Sequence, residues 1–283
     1  MLEFIEPGFF TSLQDTGRFG YRSFGVPVSG AMDLYSSQFA NSILGNQSTA
    51  ASLEMTMKGP TVKFLKPTVI AISGADMQPR LNDKLVKINT SLMVEPESIL
   101  RFDGLKKGFR SYLAIKNGFL GSSVLKSQSM YQPITESSRF SKGDRITYHS
   151  YKASSFDRNA QVKFNSVLLQ SKELTVYKGP EYEELPVRLK TKLIDGTFKI
   201  LKLNNRMAYQ LEPLIPNTLD QLLTAPVLPG TVQLTPSGKL IVLMRDCQTT
   251  GGYPRVLQLS KFAMNQLSQN TTGNRIIFRL EDF

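Results

Sequence analysis

Val62-Lys63-Phe64 and Val69-Ile70-Ala71-Ile72-Ser73 are two short apolar runs whose spacing indicates the fold class. Both are rich in β-branched or aromatic residues and too short for a typical helix, so each favours a strand. Turn signals such as Gly74-Ala75-Asp76 separate them from similar runs at residues 85–88, 99–102 and 111–115. Strands at this regular spacing, without long helices between them, predict a mainly β protein with a closed or sandwiched antiparallel architecture.

The rest of the chain shows the same pattern of short apolar runs separated by turn signals. The whole chain divides into two halves. Further strands are predicted at residues 162–164, 174–177, 197–201, 230–234, 240–244 and 275–280. Residues 150–160 are polar and lack apolar periodicity, which makes them the best candidate boundary. We therefore expect a β-rich N-terminal half, residues 1–150, and a β-rich C-terminal half, residues 160–283, that together form one domain.

The predicted helices are few and short. Residues 34–44 carry apolar side chains at helical spacing behind Asp33, a suitable N-cap. Residues 261–267 follow the cap Ser260 in the same way, and a further helical turn is predicted at residues 49–53.

The composition narrows the classes of function. The 283 residues are 41% hydrophobic, and the longest apolar runs are far too short to span a bilayer. A net charge of +11 comes from scattered Lys and Arg without a nucleic-acid motif, so small acidic molecules or an acidic partner are favoured over nucleic acid. The start lacks a signal-peptide pattern, and the lone Cys247 fits a reducing cytosol, so a cytoplasmic protein is expected. With His149 as the only histidine, no metal site is expected.

Two Gly-rich polar stretches at opposite ends of the chain are the candidate functional regions. Residues 14–30 hold four glycines and a proline in a long irregular loop, and such loops are usually functional. Residues 246–254 follow the apolar run 240–244 and include adjacent glycines, where a ligand or another backbone can approach closely. For residues 246–254 a tight strand connection is an equally good interpretation, so the residues alone leave that choice open. For residues 14–30 side chains that orient a ligand are favoured over side chains that only satisfy the backbone of the loop.

Charged residues along the chain could share one site if the halves pack together, and these are Asp15, Arg18, Asp76, Arg206 and Asp246. A carboxylate beside an arginine keeps a low pKa and orients a ligand, whereas an unpaired buried one can act as a base. Cys247 is expected to be a poor nucleophile, because the neighbouring Asp246 raises the pKa of its thiol. The common nucleotide-binding and hydrolase motifs are absent, so a nucleotide would be bound by another arrangement or by another chain.

Six motifs, each weak alone, become specific because they occur together in one order. They are Gln14-Asp15-Thr16-Gly17-Arg18, Gly25-Val26-Pro27-Val28-Ser29-Gly30-Ala31-Met32-Asp33, Leu53-Glu54 before Gly59-Pro60, Gly74-Ala75-Asp76, Arg206-Met207-Ala208-Tyr209-Gln210-Leu211 and Gln248-Thr249-Thr250-Gly251-Gly252-Tyr253-Pro254. With them, nearly the whole chain resembles the biotin-dependent carboxyltransferase family, which includes the KipA-like C subunits of 5-oxoprolinase and part of the urea carboxylase carboxyltransferase domain. The resemblance implies a cyclophilin-like β-barrel fold in one carboxyltransferase-type domain.

The resemblance also implies a function within a complex. The expected role is a hydrolase component, inactive alone, in the ATP-dependent opening of 5-oxo-L-proline to L-glutamate by 5-oxoprolinase. Its implied partners are the KipI-like B subunit and the A subunit of that enzyme, and ATP is used by the complex. One alternative is a KipA-like regulatory protein that binds a KipI-like inhibitor of a histidine kinase. Another is the carboxyltransferase component of a urea carboxylase or allophanate hydrolase system, and only this alternative requires biotin.

Position by position, the resemblance assigns site residues in both halves. The implied catalytic residues are Asp15, Arg18 and Asp246. The implied substrate-binding residues are Gln14, Gly30, Asp33, Asp76, Arg206, Tyr209, Gln248, Gly251, Gly252 and Tyr253. Four positions depart from the family pattern: Gln128 stands for an arginine, Ala208 for a glycine, and Lys261 and Asn274 for aspartates.

Overall fold

The computed structural model describes residues 1–152 and 163–281, and the chain divides into two compact units. Unit 1 comprises Met1–Arg18 and Ser29–Leu169, and unit 2 comprises Phe19–Val28 and Gln170–Phe283. Most of the predicted boundary at 150–160 lies outside the described residues, so that division stays a prediction. Of the strand predicted at 162–164, residue 162 also lies outside them, and residues 163 and 164 are irregular.

The strands of unit 1 form two antiparallel sheets. They are β1 (Leu2–Glu6), β2 (Phe10–Gln14), β3 (Ser52–Thr56), β4 (Thr61–Phe64), β5 (Thr68–Asp76), β6 (Pro79–Leu81), β7 (Lys84–Leu85), β8 (Ser91–Val94), β9 (Ile99–Phe102), β10 (Lys107–Ile115), β11 (Phe119–Leu120) and β12 (Arg145–Tyr148). One sheet has the order β11-β12-β1-β4-β9-β6-β7, and the other has the order β2-β3-β10-β5-β8.

The apolar run of β5 is continuous because both of its faces are buried. Ile70 and Ile72 lie in a hydrophobic core shared with side chains of β1 and β4 from the other sheet. Val69 and Ala71 point the opposite way and pack against the helix α1 (Leu34–Ile43). Burial on both faces replaces the usual alternation of polar and apolar residues by an unbroken apolar run.

Helix α1 confirms the prediction, and Asp33 is its N-cap, with its carboxylate accepting the Ser36 N–H at 3.0 Å. The helical turn predicted at 49–53 is wrong, because pairing with β2 and β10 holds residues 52–56 in the extended conformation. Of the strand predicted at 85–88, only Leu85 is in a strand, as the second residue of β7.

Unit 2 is built around a closed barrel, which confirms the predicted mainly β architecture. Its strands are β13 (Glu173–Lys178), β14 (Thr197–Asn204), β15 (Ala208–Glu212), β16 (Ala225–Pro226), β17 (Thr231–Leu234), β18 (Leu240–Leu243), β19 (Thr250–Gly251), β20 (Arg255–Leu259) and β21 (Arg275–Leu280). The barrel order is β13-β20-β17-β18-β15-β14-β21, and β16 and β19 form a separate ribbon. The ring closes through a parallel pair between β13 and β21, the first and last strands of the unit.

Two helices accompany the barrel. The helix α2 (Val187–Asp195) was not predicted, since it buries only Leu193 and its N-cap position is Pro186, which makes no side-chain cap. The helix α3 (Lys261–Ser268) confirms the prediction, and the Ser260 hydroxyl caps it by accepting the Ala263 N–H at 3.1 Å. Among the described residues, no helix combines the length and the apolar character needed to cross a membrane.

Candidate functional site

Asp15 in unit 1 connects the first Gly-rich stretch to residues 127–129. Its carboxylate accepts hydrogen bonds from Ser127 Oγ at 2.7 Å, Gln128 N at 2.7 Å, Ser129 Oγ at 2.6 Å and Gly17 N at 2.8 Å. A carboxylate offers about four acceptor positions, so these donors use its ordinary capacity. In this structure Asp15 therefore braces two loops, and its catalytic assignment stays a prediction.

Gln14 and Arg18, on either side of Asp15, hold the same pair of loops. The Gln14 amide donates to the carbonyl of Met130 at 3.0 Å, and the Arg18 guanidinium donates to the carbonyl of Ser129. Both side chains are fully buried. The structure therefore brings together three predicted site residues around residues 127–130, a segment that the sequence did not assign to the site.

Gly30 lies against the backbone of this loop. Its φ is +89°, and a Cβ there would lie 2.8 Å from the carbonyl carbon of Thr16 and 2.9 Å from the nitrogen of Gly17. Only glycine combines this backbone conformation with so close an approach. Its predicted role in substrate binding stays a prediction, and its role in packing the two parts of the loop is structural.

Replacing Gly30 by alanine is therefore expected to destabilise the protein more than the same change at Gly20. Gly20 has a similar φ of +88° but nothing within 4 Å of its added Cβ. Gly20→Ala should cost about 1–2 kcal/mol through the left-handed conformation alone. Gly30→Ala adds the clash with Thr16, so its urea midpoint should fall clearly below that of Gly20→Ala. Equal midpoints would show that the close approach is unimportant.

A buried polar network at the start of α1 includes Asp33, whose predicted role in substrate binding stays a prediction, and three residues that the sequence did not assign to the site, Glu54, Tyr112 and Arg110. Glu54 Oε2 accepts the Met32 N–H at 2.7 Å and the Tyr112 hydroxyl at 2.8 Å, while that hydroxyl accepts the Asp33 N–H at 2.8 Å. The guanidinium of Arg110 lies 3.9 Å from Glu54 Oε1. Burial, with the nearby charge of Glu54, raises the pKa of Tyr112 well above its ordinary value. The network fixes the backbone of residues 32 and 33, at the end of the first Gly-rich stretch.

The strand register explains why these polar groups meet. Ser12, Glu54, Tyr112 and Ser73 occupy one row across β2, β3, β10 and β5. All four are completely buried, which is unusual for a row containing a carboxylate. The Leu53-Glu54 motif was the available sequence signal for this row.

Asp76 lies at the end of β5 and is half-buried. Its carboxylate accepts the Gln78 N–H at 3.0 Å, and its backbone carbonyl accepts the Lys106 N–H at 2.8 Å. The first contact closes a tight turn after β5, and the second joins the end of β5 to the residue before β10. The predicted role of Asp76 in substrate binding stays a prediction.

In unit 2, Arg206 and Asp246 form a two-pronged ion pair. Arg206 Nε lies 2.7 Å from Asp246 Oδ2, and an Nη atom lies 3.1 Å from Oδ1. A backbone hydrogen bond joins the same two residues, because the Asp246 N–H donates to the Arg206 carbonyl at 2.9 Å. The side chains are only 11% and 5% exposed. The pair ties the turn between β14 and β15 to the turn after β18.

The Gly-Gly-Tyr turn follows this pair and is held by residues 222–226. The Gly252 carbonyl accepts the Leu222 N–H at 2.9 Å, and Gly251 pairs with Ala225 in the ribbon of β16 and β19. A Cβ on Gly251 would lie 2.6 Å from the Gln233 side-chain nitrogen. Alanine at this position would therefore require the buried Gln233 side chain to move.

The remaining predicted residues of unit 2 differ in accessibility. Gln248 and Tyr253 are exposed next to the Gly-Gly turn, so a ligand can reach both side chains. Tyr209 is completely buried in the barrel, where its hydroxyl lies 3.3 Å from the carbonyl of Asn270.

A second ion pair beside the Gly-Gly turn was missed. Glu181 accepts from Arg255 Nε at 3.0 Å, from an Arg255 Nη at 2.6 Å and from the Arg255 N–H at 2.7 Å. Burial opposes ionisation of Glu181, but the hydrogen bonds from Arg255 outweigh it and lower the pKa of the carboxyl group. The only sequence signal would have been Arg255 directly after the Gly-Gly-Tyr-Pro motif.

Three of the four departures from the family pattern have simple structural settings. Lys261 is exposed at the first residue of α3, Ala208 begins β15 opposite Leu243, and the Asn274 side chain accepts the Thr271 N–H at 2.9 Å. The turn at 271–274 is therefore capped by an amide oxygen. The fourth, Gln128, lines a cleft of unit 1.

Cys247 is completely buried in unit 2. Burial raises the pKa of its thiol to about 11, and the charge of Asp246 adds to this although Arg22 acts in the opposite direction. The expectation that Cys247 is a poor nucleophile agrees with this environment.

We expect Cys247 to resist alkylation in the folded protein. At about pH 8, a pKa near 11 leaves only about one thiol in a thousand ionised. Mass spectrometry after iodoacetamide treatment should show an unmodified native chain and one adduct after unfolding in urea. Rapid labelling of the native chain would contradict the burial of this thiol.

The metal-ligating and cationic side chains of this chain limit which ligands it can bind without a partner chain. Among the described residues, no group of three or more His, Cys, Asp or Glu side chains is arranged for a metal ion. Arg18 and Arg206, the arginines predicted for the site, both donate to protein acceptors. The predicted site residues of this chain therefore do not fit a nucleotide triphosphate, which needs several cations for its phosphates. That residues of both halves share one site stays a prediction.

Comparisons with known proteins match this chain to one family model and to several related sequences. The family model described as carboxyltransferase domain, subdomain A and B, matches residues 24–280. The chain is 32% identical over 284 residues to the C subunit of 5-oxoprolinase from Escherichia coli (strain K12), covering 98% of this chain and 90% of that protein. It is 42% identical over 130 residues to urea amidolyase of Lachancea kluyveri, covering 46% of this chain and 7% of that protein.

Solved structures share the fold over almost the whole chain. TTHA0988 is 26% identical with a TM-score of 0.88, covering 98% of this chain and 55% of that one. The urea amidolyase of K. lactis is also 26% identical, with a TM-score of 0.86, and the match covers 98% of this chain but 18% of that one. The chain thus corresponds to part of these longer proteins and to most of the E. coli protein. By the family match and this identity, the chain belongs to the carboxyltransferase domain family with subdomains A and B.

Proposed function

We propose that the chain is the C subunit of a 5-oxoprolinase complex that opens 5-oxo-L-proline to L-glutamate with ATP. The observation that carries this proposal is the 32% identity to the C subunit of a 5-oxoprolinase, which extends over 98% of this chain and 90% of that protein. A match over nearly both full lengths supports a shared role better than the partial match to urea amidolyase, which covers 46% of this chain.

The site supports a positioning role for this chain. Asp15 and the Arg206–Asp246 pair hold two Gly-rich turns in place, and Gln248 and Tyr253 are exposed beside one of them. An amide and a phenol can donate to or accept from the carboxylate and amide of a small acidic substrate. The net charge of +11 favours approach of such an anion.

ATP and the remaining chemistry belong, in this proposal, to partner chains. The predicted site residues of this chain do not fit a triphosphate, since Arg18 and Arg206 are engaged with protein acceptors. We therefore assign ATP binding to the A subunit or to the KipI-like B subunit, and expect the isolated chain to be inactive.

The test is reconstitution with the cognate A and B subunits. Purified chain should produce ATP-dependent glutamate release from 5-oxoproline, measured by coupled glutamate detection, with no release when any one of the three proteins is omitted. Release by the other two proteins alone, at the full rate, would overturn the proposal.

The partial match to urea amidolyase and the family model favour one second candidate, a urea-type carboxyltransferase component. In that case the chain would act with a biotinylated carrier. Carboxyl transfer from carboxybiotin to urea, without glutamate release, would select this candidate. The KipA-like regulatory role would instead appear as binding to a KipI-like chain without catalysis.

A further inference from the structure

A pocket of about 210 Å³ opens in unit 1 between two segments of the chain. Residues 7–11 form one wall, and residues 139–142 form the other. Sites for drug-sized ligands occupy about 300–1,000 Å³, so this volume suits a smaller molecule. None of the residues predicted for the site lines this pocket, so it is distinct from that set of residues.

Hydrogen bonds hold both walls of the pocket. The Thr11 hydroxyl donates to the Pro7 carbonyl at 2.7 Å, and the Phe9 N–H donates to the Lys58 carbonyl at 3.0 Å. The Phe140 N–H donates to the Thr11 carbonyl at 2.8 Å and so joins the two walls. The shape of the pocket is therefore set by contacts of the backbone.

Two cations, Arg139 and Lys142, line the pocket. Neither side chain forms an ion pair or a hydrogen bond with another described residue. Every other arginine in the described part of unit 1 has a carboxylate or a backbone carbonyl as its partner. The guanidinium donors of Arg139 are therefore available to a ligand, unlike those of the other arginines in this part of the chain.

The acidic residues that flank these segments in the sequence, Glu6 and Asp144, do not line the pocket. Glu6 is exposed at the end of β1. The Asp144 carboxylate accepts the Ser141 N–H at 2.8 Å, which closes the turn that contains Lys142. An anion in the pocket would therefore meet two cations and no carboxylate in the lining, which favours its binding.

Aromatic side chains provide the apolar part of the lining, and these are Phe9, Phe10 and Phe140. Phe9 is 56% exposed, so a ligand can reach its ring. The Phe140 ring is fixed by stacking on Phe4, with the ring centroids 4.3 Å apart. Aromatic rings beside two cations suit a molecule that combines an apolar body with an anionic group.

We propose that this pocket binds a small carboxylate that carries an apolar ring. Arg139 holds the carboxylate through its paired N–H donors, Lys142 adds a second positive charge, and Phe9 packs against the ring. This class of ligand includes 5-oxoproline. The choice of 5-oxoproline as the natural ligand rests on the proposed function, whereas the pocket and its cations do not.

The test is a titration of the purified chain followed by nuclear magnetic resonance. Labelling with carbonyl-¹³C proline and ¹⁵N glycine selects the two Pro-Gly pairs of the sequence, Pro7-Gly8 and Pro229-Gly230. Gly8 lines the pocket, whereas Gly230 is buried in unit 2 and serves as the internal control. The Gly8 signal should shift with 5-oxoproline and with cyclopentanecarboxylate, and the Gly230 signal should not.

Two further probes separate the contributions of the carboxylate and the ring. The compound 2-pyrrolidinone has the lactam ring of 5-oxoproline but no carboxylate, and it should leave the Gly8 signal unchanged. Inorganic phosphate has the negative charge but no ring, and it should bind at least about threefold more weakly than 5-oxoproline because it buries no apolar surface against Phe9.

Two variants assign the binding to the cations. Arg139→Gln and Lys142→Gln each remove one charge from an exposed side chain, so the urea midpoint should stay that of the parent. Arg139→Gln should weaken 5-oxoproline binding at least about tenfold, because it removes charge-assisted hydrogen bonds, and Lys142→Gln about threefold. Lys87→Gln lowers the net charge equally at an exposed position outside the lining and should bind as the parent does.

The outcomes separate this inference from the proposed function. No shift of the Gly8 signal by either ring carboxylate, equal affinity for inorganic phosphate, or unchanged affinity in both variants would overturn the inference, even if the reconstituted complex releases glutamate. Binding that depends on Arg139 supports the inference even if the complex is inactive, and then only the proposed function fails.

Discussion

Asp246→Ala is expected to destabilise the protein by about 3–5 kcal/mol, because it leaves the Arg206 guanidinium buried without its carboxylate. The pair is two-pronged, and its side chains are only 11% and 5% exposed. The turn after β18 also loses its anchor to the turn before β15, so the Gly-Gly-Tyr stretch loses its fixed position. The reconstituted complex should therefore lose most of its activity even at temperatures where the variant is folded.

The matched control is an exposed ion pair of the same unit. Glu173 and Arg279 lie 3.0 Å apart with side chains 55% and 63% exposed. Glu173→Ala should change the free energy of unfolding by less than about 1 kcal/mol, since solvent screens such pairs. Urea denaturation of both variants measures the difference. Similar losses for the two would mean that the Arg206–Asp246 pair contributes no more than a surface contact.

Glu54→Ala should cost about as much, near 3–5 kcal/mol, because several buried groups lose one shared acceptor. The Met32 N–H and the Tyr112 hydroxyl both donate to Glu54 Oε2, and Arg110 would keep a buried charge. Tyr112→Phe should cost about 1–3 kcal/mol, since it removes only the hydroxyl that bridges Glu54 and the Asp33 N–H.

Glu97→Ala is the control for this second series. Glu97 contacts Lys63 but is 64% exposed on its side chain, so its loss should be within about 1 kcal/mol. Thermal unfolding followed by circular dichroism would rank the variants. A Glu54→Ala variant as stable as Glu97→Ala would show that the buried network does not hold the start of α1.

The elements that the sequence predicted well are those with strong local signals. The apolar run of β5, the cap Asp33 of α1 and the cap Ser260 of α3 each specify their element through nearby residues. The elements that the sequence predicted wrongly or did not predict lack such local signals. Residues 49–53 have helical propensity, but pairing with two neighbouring strands extends residues 52–56, and α2 has no side-chain cap to signal its start.

For the candidate site, the sequence likewise indicated residues within local motifs but not their distant partners. Motif resemblance identified Asp15 and the Arg206–Asp246 turn regions, but it did not connect Asp15 with residues 127–129, which are more than one hundred positions away. Glu54, Tyr112 and Arg110 also remained unassigned, because their meeting depends on the register between β3 and β10.

The mainly β class, the caps of α1 and α3, the family and the residue types of the two Gly-rich stretches all follow from the sequence alone. The partners follow only from the folded structure: Asp15 with the backbone of Gln128, Glu54 with Tyr112, and Glu181 with Arg255. The two groups of features differ in how far apart the interacting residues lie in the sequence. Caps and apolar periodicity act within one or two turns of chain, whereas buried polar groups are paired by strand register and loop packing between distant residues.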